Sequence, residues 1–462
     1  MNIIGRLRMA WNKILTNIPS EVSDKDKAIN EWFSIYKMKS PWLDYSYRTV
    51  DGVLRKRRRL SLNAGKMIVQ ELNNLVFSEP PTITTDKAVQ DILDENNFMA
   101  NLTDLSEYTL ALGGGALKLR NDGSIKIDFV KANNVVPITW DNVRITEAAF
   151  IDNRVKGADK YTRVETHRAT VGDAGYKGYN ITQELYKNDH SVPLSDMFPD
   201  LQPLTFIATD VPLFAYIKPA ISNNFDPESP LGISFFGNSV DTLEALDIAF
   251  DSLKMELVLG KKRIIVPEQM VRYVNDPDTG KRVRYFDPAD EVYVALNIDP
   301  DDATKIQDNS VELRVTEIKE AIQTLLDILS LQCGFSQGYL AFDGATVKTA
   351  TEVISDNSRT FKTKVNYEHE LETGILQIME AIRSYGSNIG LAVSQTEYSV
   401  SFQDSVIEDR NTKTTYWMGL YASGLCTITR ALQEIYKVTE EEAVKMASDI
   451  KAEKPEIVSF GA

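Results

Sequence analysis

The residues in this chain whose types could do chemistry are few, and their spacings argue against most of the chemistry they suggest. His167 and His190 fall within or beside β-type sequence, and neither has a second His or a Cys at ligand spacing, so a satisfied or exposed histidine is the default over a metal ligand. Cys333 and Cys426 are the two cysteines, with no paired spacing, which gives neither a disulfide framework nor a zinc site and fits synthesis in a reducing compartment. The run Gly113-Gly114-Gly115 suggests a phosphate cradle, yet no Gly-Lys-Ser/Thr follows it and Lys118 lies on the strand side. Asn275-Asp276-Pro277-Asp278-Thr279-Gly280 has calcium-loop residues, but its glycine is misplaced and the terminal glutamate is missing. With no nucleophile, metal set or nucleotide loop in view, the expectation is a chain without catalysis, cofactor or metal.

Two charged patterns remain. Arg55-Lys56-Arg57-Arg58-Arg59 suits a phosphate or an acidic partner, or is a solvated face in a very acidic protein. Asp241, Glu244, Asp247 and Asp251 recur at steps of three and four, the spacing of one helix side, while Val240, Leu243, Leu246, Phe250, Leu253 and Leu257 form an apolar stripe on another. What that acidic side faces, a solvated exterior or an aqueous channel, is the question the rest of the chain must answer.

The elements that position these residues read as follows. Ile4, Leu7, Trp11 and Ile14 make a helical stripe flanked by Arg6, Arg8 and Lys13, suited to a membrane surface or to docking on protein. After the basic run comes a helical pattern through Leu62, Met67, Ile68, Leu72 and Leu75, then an extended Ser78 to Thr85 with two prolines. Alternating runs on either side of Asn121-Asp122-Gly123 predict a hairpin. Val135 to Tyr216 is β-rich. The acidic helix, Asn238 to Gly260, is followed by short strand patterns at 271–274, 283–286 and 292–298, and then by a second apolar helix from Thr316 to Gly334 carrying Ile318, Ile322, Leu325 and Leu329. A β module between two helices of similar length implies a stalk with a tip. A glycine-containing loop, Gly334 to Val347, leads into a long helical pattern from Thr349 to Tyr385. After it come a strand at Tyr398 to Phe402, a helix at Arg410 to Ala422, another opened by Thr427, and a last one opened by the capping box Thr439-x-x-Glu442.

At 462 residues and a net charge of −15 the chain is long enough for several structural units and too acidic to coat nucleic acid through a general basic surface. No apolar run approaches the roughly 20 residues of a membrane span, and the first residues, with charges inside their apolar region, do not read as a signal peptide.

The succession LNAGKMIVQELNNLVFSEPP, LALGGGALKLR, SPLGISFFGNSVDTLEALDIAFDSLKMELVLGKKRIIVP, GATVKTATEVISDNSRTF and EDRNTKTTYWMGLYASGLCTITRALQEIY resembles the portal proteins of tailed bacteriophages, of the long-tailed kind, over nearly the whole length. The resemblance implies an α+β fold with a mixed α/β wing, a helical stem, a small β-containing clip and a helical C-terminal crown. Carried onto this sequence, 1–236 with 349–404 is the wing, 237–262 and 316–333 the stem, 263–315 the clip, 334–348 the tunnel loop and 405–462 the crown.

It also implies a homo-oligomeric ring, a dodecamer, at the portal vertex of the capsid in the virion. Double-stranded DNA passes through its channel, and the partners are a terminase motor, a head-tail adaptor, the major capsid protein and a scaffolding protein, with no membrane. On that reading Asp241, Glu244, Asp247, Asp251 and Lys348 are candidate channel-facing residues, and Tyr273, Arg282, Arg284 and Tyr285 are candidate clip contacts by position. The alternatives are another minor head or connector protein of a phage, and a DNA-processing enzyme.

Overall fold

The computed structural model describes residues 22–49, 52–121, 124–142, 144–172, 177–188, 190–260, 312–341, 358–390, 398–402, 410–436 and 438–453, with Gly280 and four short strands between 263 and 309. The helices are α1 (Val22–Tyr36), α2 (Ala64–Val76), α3 (Lys87–Glu95), α4 (Phe98–Leu112), α5 (Val240–Leu259), α6 (Val315–Gln332), α7 (Ser358–Asn388), α8 (Arg410–Ala422), α9 (Ile428–Tyr436) and α10 (Glu440–Glu453). The strands are β1 (Asp44–Arg48), β2 (Leu54–Arg58), β3 (Thr82–Thr84), β4 (Gly115–Asn121), β5 (Ile125–Lys131), β6 (Val135–Asp141), β7 (Arg144–Lys156), β8 (Asp159–Val171) and β9 (Lys177–Lys187). They continue with β10 (His190–Val192), β11 (Leu204–Ala208), β12 (Phe214–Ile217), β13 (Arg263–Ile265), β14 (Arg272–Asn275), β15 (Arg282–Tyr285), β16 (Gln307–Asn309) and β17 (Ser399–Ser401). Helical blocks flank a strand-rich middle, which is the α+β class read from the sequence. The N-terminal stripe Ile4 to Ile14, the 292–298 strand and Lys348 lie outside the described residues. The chain divides into two units, Met1–Ser40 with Asn63–Val240 and Asp327–Ala462, and Pro41–Leu62 with Asp241–Leu326.

In the first unit, β4 and β5 pair antiparallel on either side of 122–123, as the Asp-Gly signal predicts, and β12 joins β4 to give a three-stranded sheet. The larger sheet runs β10-β9-β8-β7-β6, with β11 also paired to β9. Strand alternation sends Ala148 and Phe150 of β7 into one core with Ala116, Val135 and Phe214, and Ala149 and Ile151 into another with Val136 and Val164. The middle of β7 is therefore buried on both faces, which is why it carries the unbroken apolar run Ala148 to Ile151.

The triple glycine is a packing device. Gly113 ends α4 in the left-handed conformation at φ 83° with its N–H on the Thr109 carbonyl, and a Cβ there would sit 2.7 Å from the Ile233 carbonyl carbon. Backbone meets backbone at that point.

Helix α7, about 46 Å long at 1.5 Å per residue, buries Tyr367, Leu371, Ile375, Ile378 and Ile382 along one stripe. The Tyr367 hydroxyl bonds Ser106 Oγ at 3.0 Å. Its polar buried pair, Lys364 and Glu368, meets at 2.8 Å one turn apart. The expected start at Thr349 lies outside the described residues. At the C-terminus, Thr427 Oγ1 accepts from Arg430 N, and the capping box forms as read: the Thr439 N–H donates to Glu442 Oε2 at 3.1 Å and the Glu442 N–H to Thr439 Oγ1 at 3.4 Å. Leu432, Ala443 and Ala447 make the small core beneath.

In the second unit, β1 and β2 form an antiparallel hairpin with Tyr45 opposite Arg57 and Tyr47 opposite Arg55. After α5 the chain enters the β insertion, where β13 pairs with β16 and β14 with β15. The insertion closes on itself: Arg263 in β13 is opposite Asn309 in β16, and a Cβ on Gly260 would collide with Leu313.

Candidate functional site

The acidic side of α5 is built by a helix of 20 residues whose apolar stripe buries Leu243 and Leu246. On the flank of that stripe Asp247 and Asp251 are themselves buried, 5% and 6% exposed. An isolated buried carboxylate costs several kcal/mol, so each must be matched by donors. Asp247 accepts from the Trp42 indole N–H at 2.8 Å and from the Leu62 backbone N–H at 2.8 Å. Asp251 takes both its oxygens to Arg57, at 2.9 and 2.8 Å, and also accepts from the Leu60 N–H at 3.2 Å. All these donors come from the 41–62 segment, which the hairpin presents to the helix. Arg59 ties the base of that segment together, donating to the Trp42 carbonyl at 2.6 Å and lying 4.5 Å from the Tyr45 ring centroid.

Asp247 and Asp251, expected among the channel-facing residues, serve as internal anchors, because their oxygens are consumed by donors of the same chain. The basic run does grip an acidic partner, but the partner of Arg57 is this chain's own helix. Arg58 pairs Asp44 at 3.3 Å. Of the acidic stripe, Asp241 stays exposed and Glu244 half-buried. The signal that could have found the hairpin was the alternation Asp44-Tyr45-Ser46-Tyr47-Arg48 ahead of the basic run, which has the strand period of two.

At the base of the insertion, Arg314 donates to Glu256 from its backbone N–H at 3.1 Å and from its guanidinium at 3.4 and 3.1 Å. These hydrogen bonds lower the Glu256 carboxyl below its usual range. Within the insertion the register sets Tyr273 opposite Arg284, Arg282 opposite Asn275 and Tyr285 opposite Arg272.

A second charged constellation, in the first unit, escaped the sequence reading. Lys118, on β4, is buried and reaches Glu165 at 2.8 Å and Asp128 at 3.0 Å. Glu165, on β8, also accepts from Gln183 at 3.0 Å and meets His167 Nε2 at 2.8 Å. Burial alone would raise the Glu165 carboxyl, and Lys118 and His167 more than offset it, holding it well below the usual carboxylate range. Burial lowers His167, against the pull of Glu165, so it is held neutral near pH 7. Arg163 continues the alternation of sign, 3.6 Å from both Glu165 and Asp152, and Arg154 reaches Asp152 at 3.0 Å. Lys118, Asp128, Glu165, Arg163, Asp152 and Arg154 line a cavity of about 760 Å³. His167 is thus a core histidine whose Nε2 is held by Glu165 while its buried Nδ1 has no partner among the described residues, and His190 is exposed. The cluster pairs its charges internally, an arrangement that joins strands.

Among the described residues, no group of three or more His, Cys, Asp and Glu could hold a metal ion, and no helix is long and apolar enough to cross a membrane. What the geometry does define is a scaffold of long helices, with a β insertion between two of them and charges spent on holding segments together. The sequence matches the family described as phage portal protein, SPP1 Gp6-like, over residues 18–457, and the chain belongs to that family, which is a structural one. Similar solved structures include a chain from the virion of a native gene transfer agent particle, with a TM-score of 0.41 at 11% identity over 80% of this chain and 88% of that one. A chain from the neck of a native gene transfer agent particle computed with C12 symmetry gives a TM-score of 0.39 at 12% identity, with the same coverage. No curated protein matches the chain.

Proposed function

We propose that copies of this chain close into the ring of a portal at one vertex of a phage capsid, and that double-stranded DNA passes through the ring during packaging and ejection. The observation that carries this reading is the family match across residues 18–457. The β insertion closed between α5 and α6 supports it, since it suits a stalk with a docking tip. On this reading the ring has twelve copies and is part of the virion. The insertion meets the terminase motor and later the head-tail adaptor, with Tyr273, Arg282, Arg284 and Tyr285 as its contacts, and the remainder seats against major capsid and scaffolding proteins. The chain itself performs no catalysis; the separate motor supplies the energy.

Asp241 and Glu244, the two stripe carboxylates without a partner among the described residues, border the channel, while Lys348 touches passing phosphates. Like charge at the wall keeps DNA from sticking, because phosphate binding requires counterions to be displaced by Lys or Arg. Negative-stain microscopy of the purified protein tests the assignment: rings with a central hole wide enough for a duplex are the expected result, and monomers that cleave DNA in the presence of a divalent metal overturn it. With Asp241→Lys and Glu244→Lys together, the ring is expected to retain duplex DNA at low salt. Rings that release DNA as readily as the parent remove these two residues from the channel wall.

A further inference from the structure

The hairpin β1–β2 has two faces. Strand alternation puts Tyr45, Tyr47, Arg55 and Arg57 on one, from which Arg57 reaches Asp251, and Ser46, Arg48, Leu54 and Lys56 on the other, together with the paired Asp44 and Arg58. The second face is exposed throughout: Arg48 and Lys56 stand in solvent beside Leu54 at 57% exposure, with Val53 at 55% near the tip. A surface mixing cations with large apolar side chains, in a chain of net charge −15, calls for a partner that is acidic and partly apolar.

We propose that this outer face of the hairpin docks on the face of α6 that carries Glu317 and Glu320 in a second copy of the chain. The inference rests on the ring reading above and assigns one of its contacts. A cyclic ring needs a head-to-tail interface, in which two unlike patches of one chain complement each other. This chain supplies such a pair. Glu317, Glu320, Ala321 and Thr324 are exposed and share one side of α6 by their steps of three and four, with Lys319 on another side. The hairpin is held in a fixed pose by Asp247 and Asp251, so its outer face is presented rigidly, and little entropy is lost on docking.

Duplex DNA is the weaker occupant. Arg57, Arg58 and Arg59 are already engaged with Asp251, Asp44 and the Trp42 carbonyl, which leaves a handful of cations. Binding through so few phosphates falls off with salt and is slight at physiological ionic strength. Phosphates also make no use of Leu54 and Val53.

The test is a charge swap read by mass photometry and negative-stain microscopy on the full chain. Arg48→Glu with Lys56→Glu is expected to raise the protein concentration at half-assembly about tenfold at low salt. Glu317→Lys with Glu320→Lys should do the same, and the four changes together should restore assembly to near the parent level. Circular dichroism checks that each variant is folded. If both double variants assemble like the parent, or if the combined variant is no better than either, the proposal is overturned while the ring stands. If Arg48→Glu/Lys56→Glu leaves assembly intact but weakens retention of duplex DNA, the face belongs to nucleic acid and the proposal is again overturned. A parent protein that forms no rings under any condition sinks the ring reading, and this contact with it.

Discussion

Removing Asp251 should free the hairpin from the helix. In Asp251→Ala the Arg57 guanidinium loses both its hydrogen bonds and the Leu60 N–H loses its acceptor. Breaking a buried ion pair on one side costs about 3–5 kcal/mol. Here Asp251 is 8% exposed in its side chain but Arg57 is 25% exposed, so water recovers part of the loss, and the expected local cost is about 2 kcal/mol. That corresponds to a roughly thirtyfold rise in the population with the hairpin lifted off. The assay is limited trypsin digestion, with cleavage after Arg57 and Arg59 mapped by mass spectrometry under conditions where the rate follows the open population. Asp241→Ala is the control, since Asp241 is exposed on the same helix. Asp251→Asn should fall between, because its amide oxygen can still accept from Leu60. If Asp251→Ala is cut within about twofold of the Asp241→Ala control, the anchoring role is refuted.

Three other outcomes follow from the first unit. Lys118→Met leaves Glu165 buried without its closest cation, and is expected to lower stability by about 3–5 kcal/mol in urea unfolding, with Lys118→Met/Glu165→Gln recovering much of it. The same cluster sets an acid limit. His167 has its folded pKa lowered below 6.5, so its contribution is full above that value and is lost as pH falls from it; Glu165, also lowered, holds its contribution above 4.5 and loses it on further acidification. Unfolding curves taken between pH 7.5 and 4 should therefore steepen first below about 6.5, and His167→Gln should remove that first loss. Gly113→Ala combines a strained φ of 83° with a contact of 2.7 Å to backbone, and a thermal melt is expected to report a loss of more than about 1–3 kcal/mol.

How much of this was legible in the sequence depends on whether a feature is local. The capping box at Thr439, the bounds of α8, the hairpin around Asn121 and the interior stripe of α7 are written in short spacings, and they stand where those spacings put them. The acidic stripe was visible as a pattern, but its meaning was not. Asp247 and Asp251 differ from Asp241 only in that a segment some 190 residues earlier in the chain lies over them, and helix periodicity carries no record of such a neighbour. Lys118 failed to stand out for the same reason: a lysine in an apolar strand looks like an edge residue until Glu165, on a strand not paired with its own, is known to lie within reach. The use of the triple glycine in seating α4 against Ile233 depends on a contact more than a hundred residues away.

The closure at the base of the β insertion has a consequence for how such a protein can evolve. Because β13 pairs with β16 and Arg314 clasps Glu256, the sequence between them is an interchangeable cassette, held at its hem. Lengthening that cassette costs little, since doubling a loop adds only about 0.6 kcal/mol of closure entropy. A lineage can therefore retailor that cassette while α5 and α6 keep their own fit unaltered.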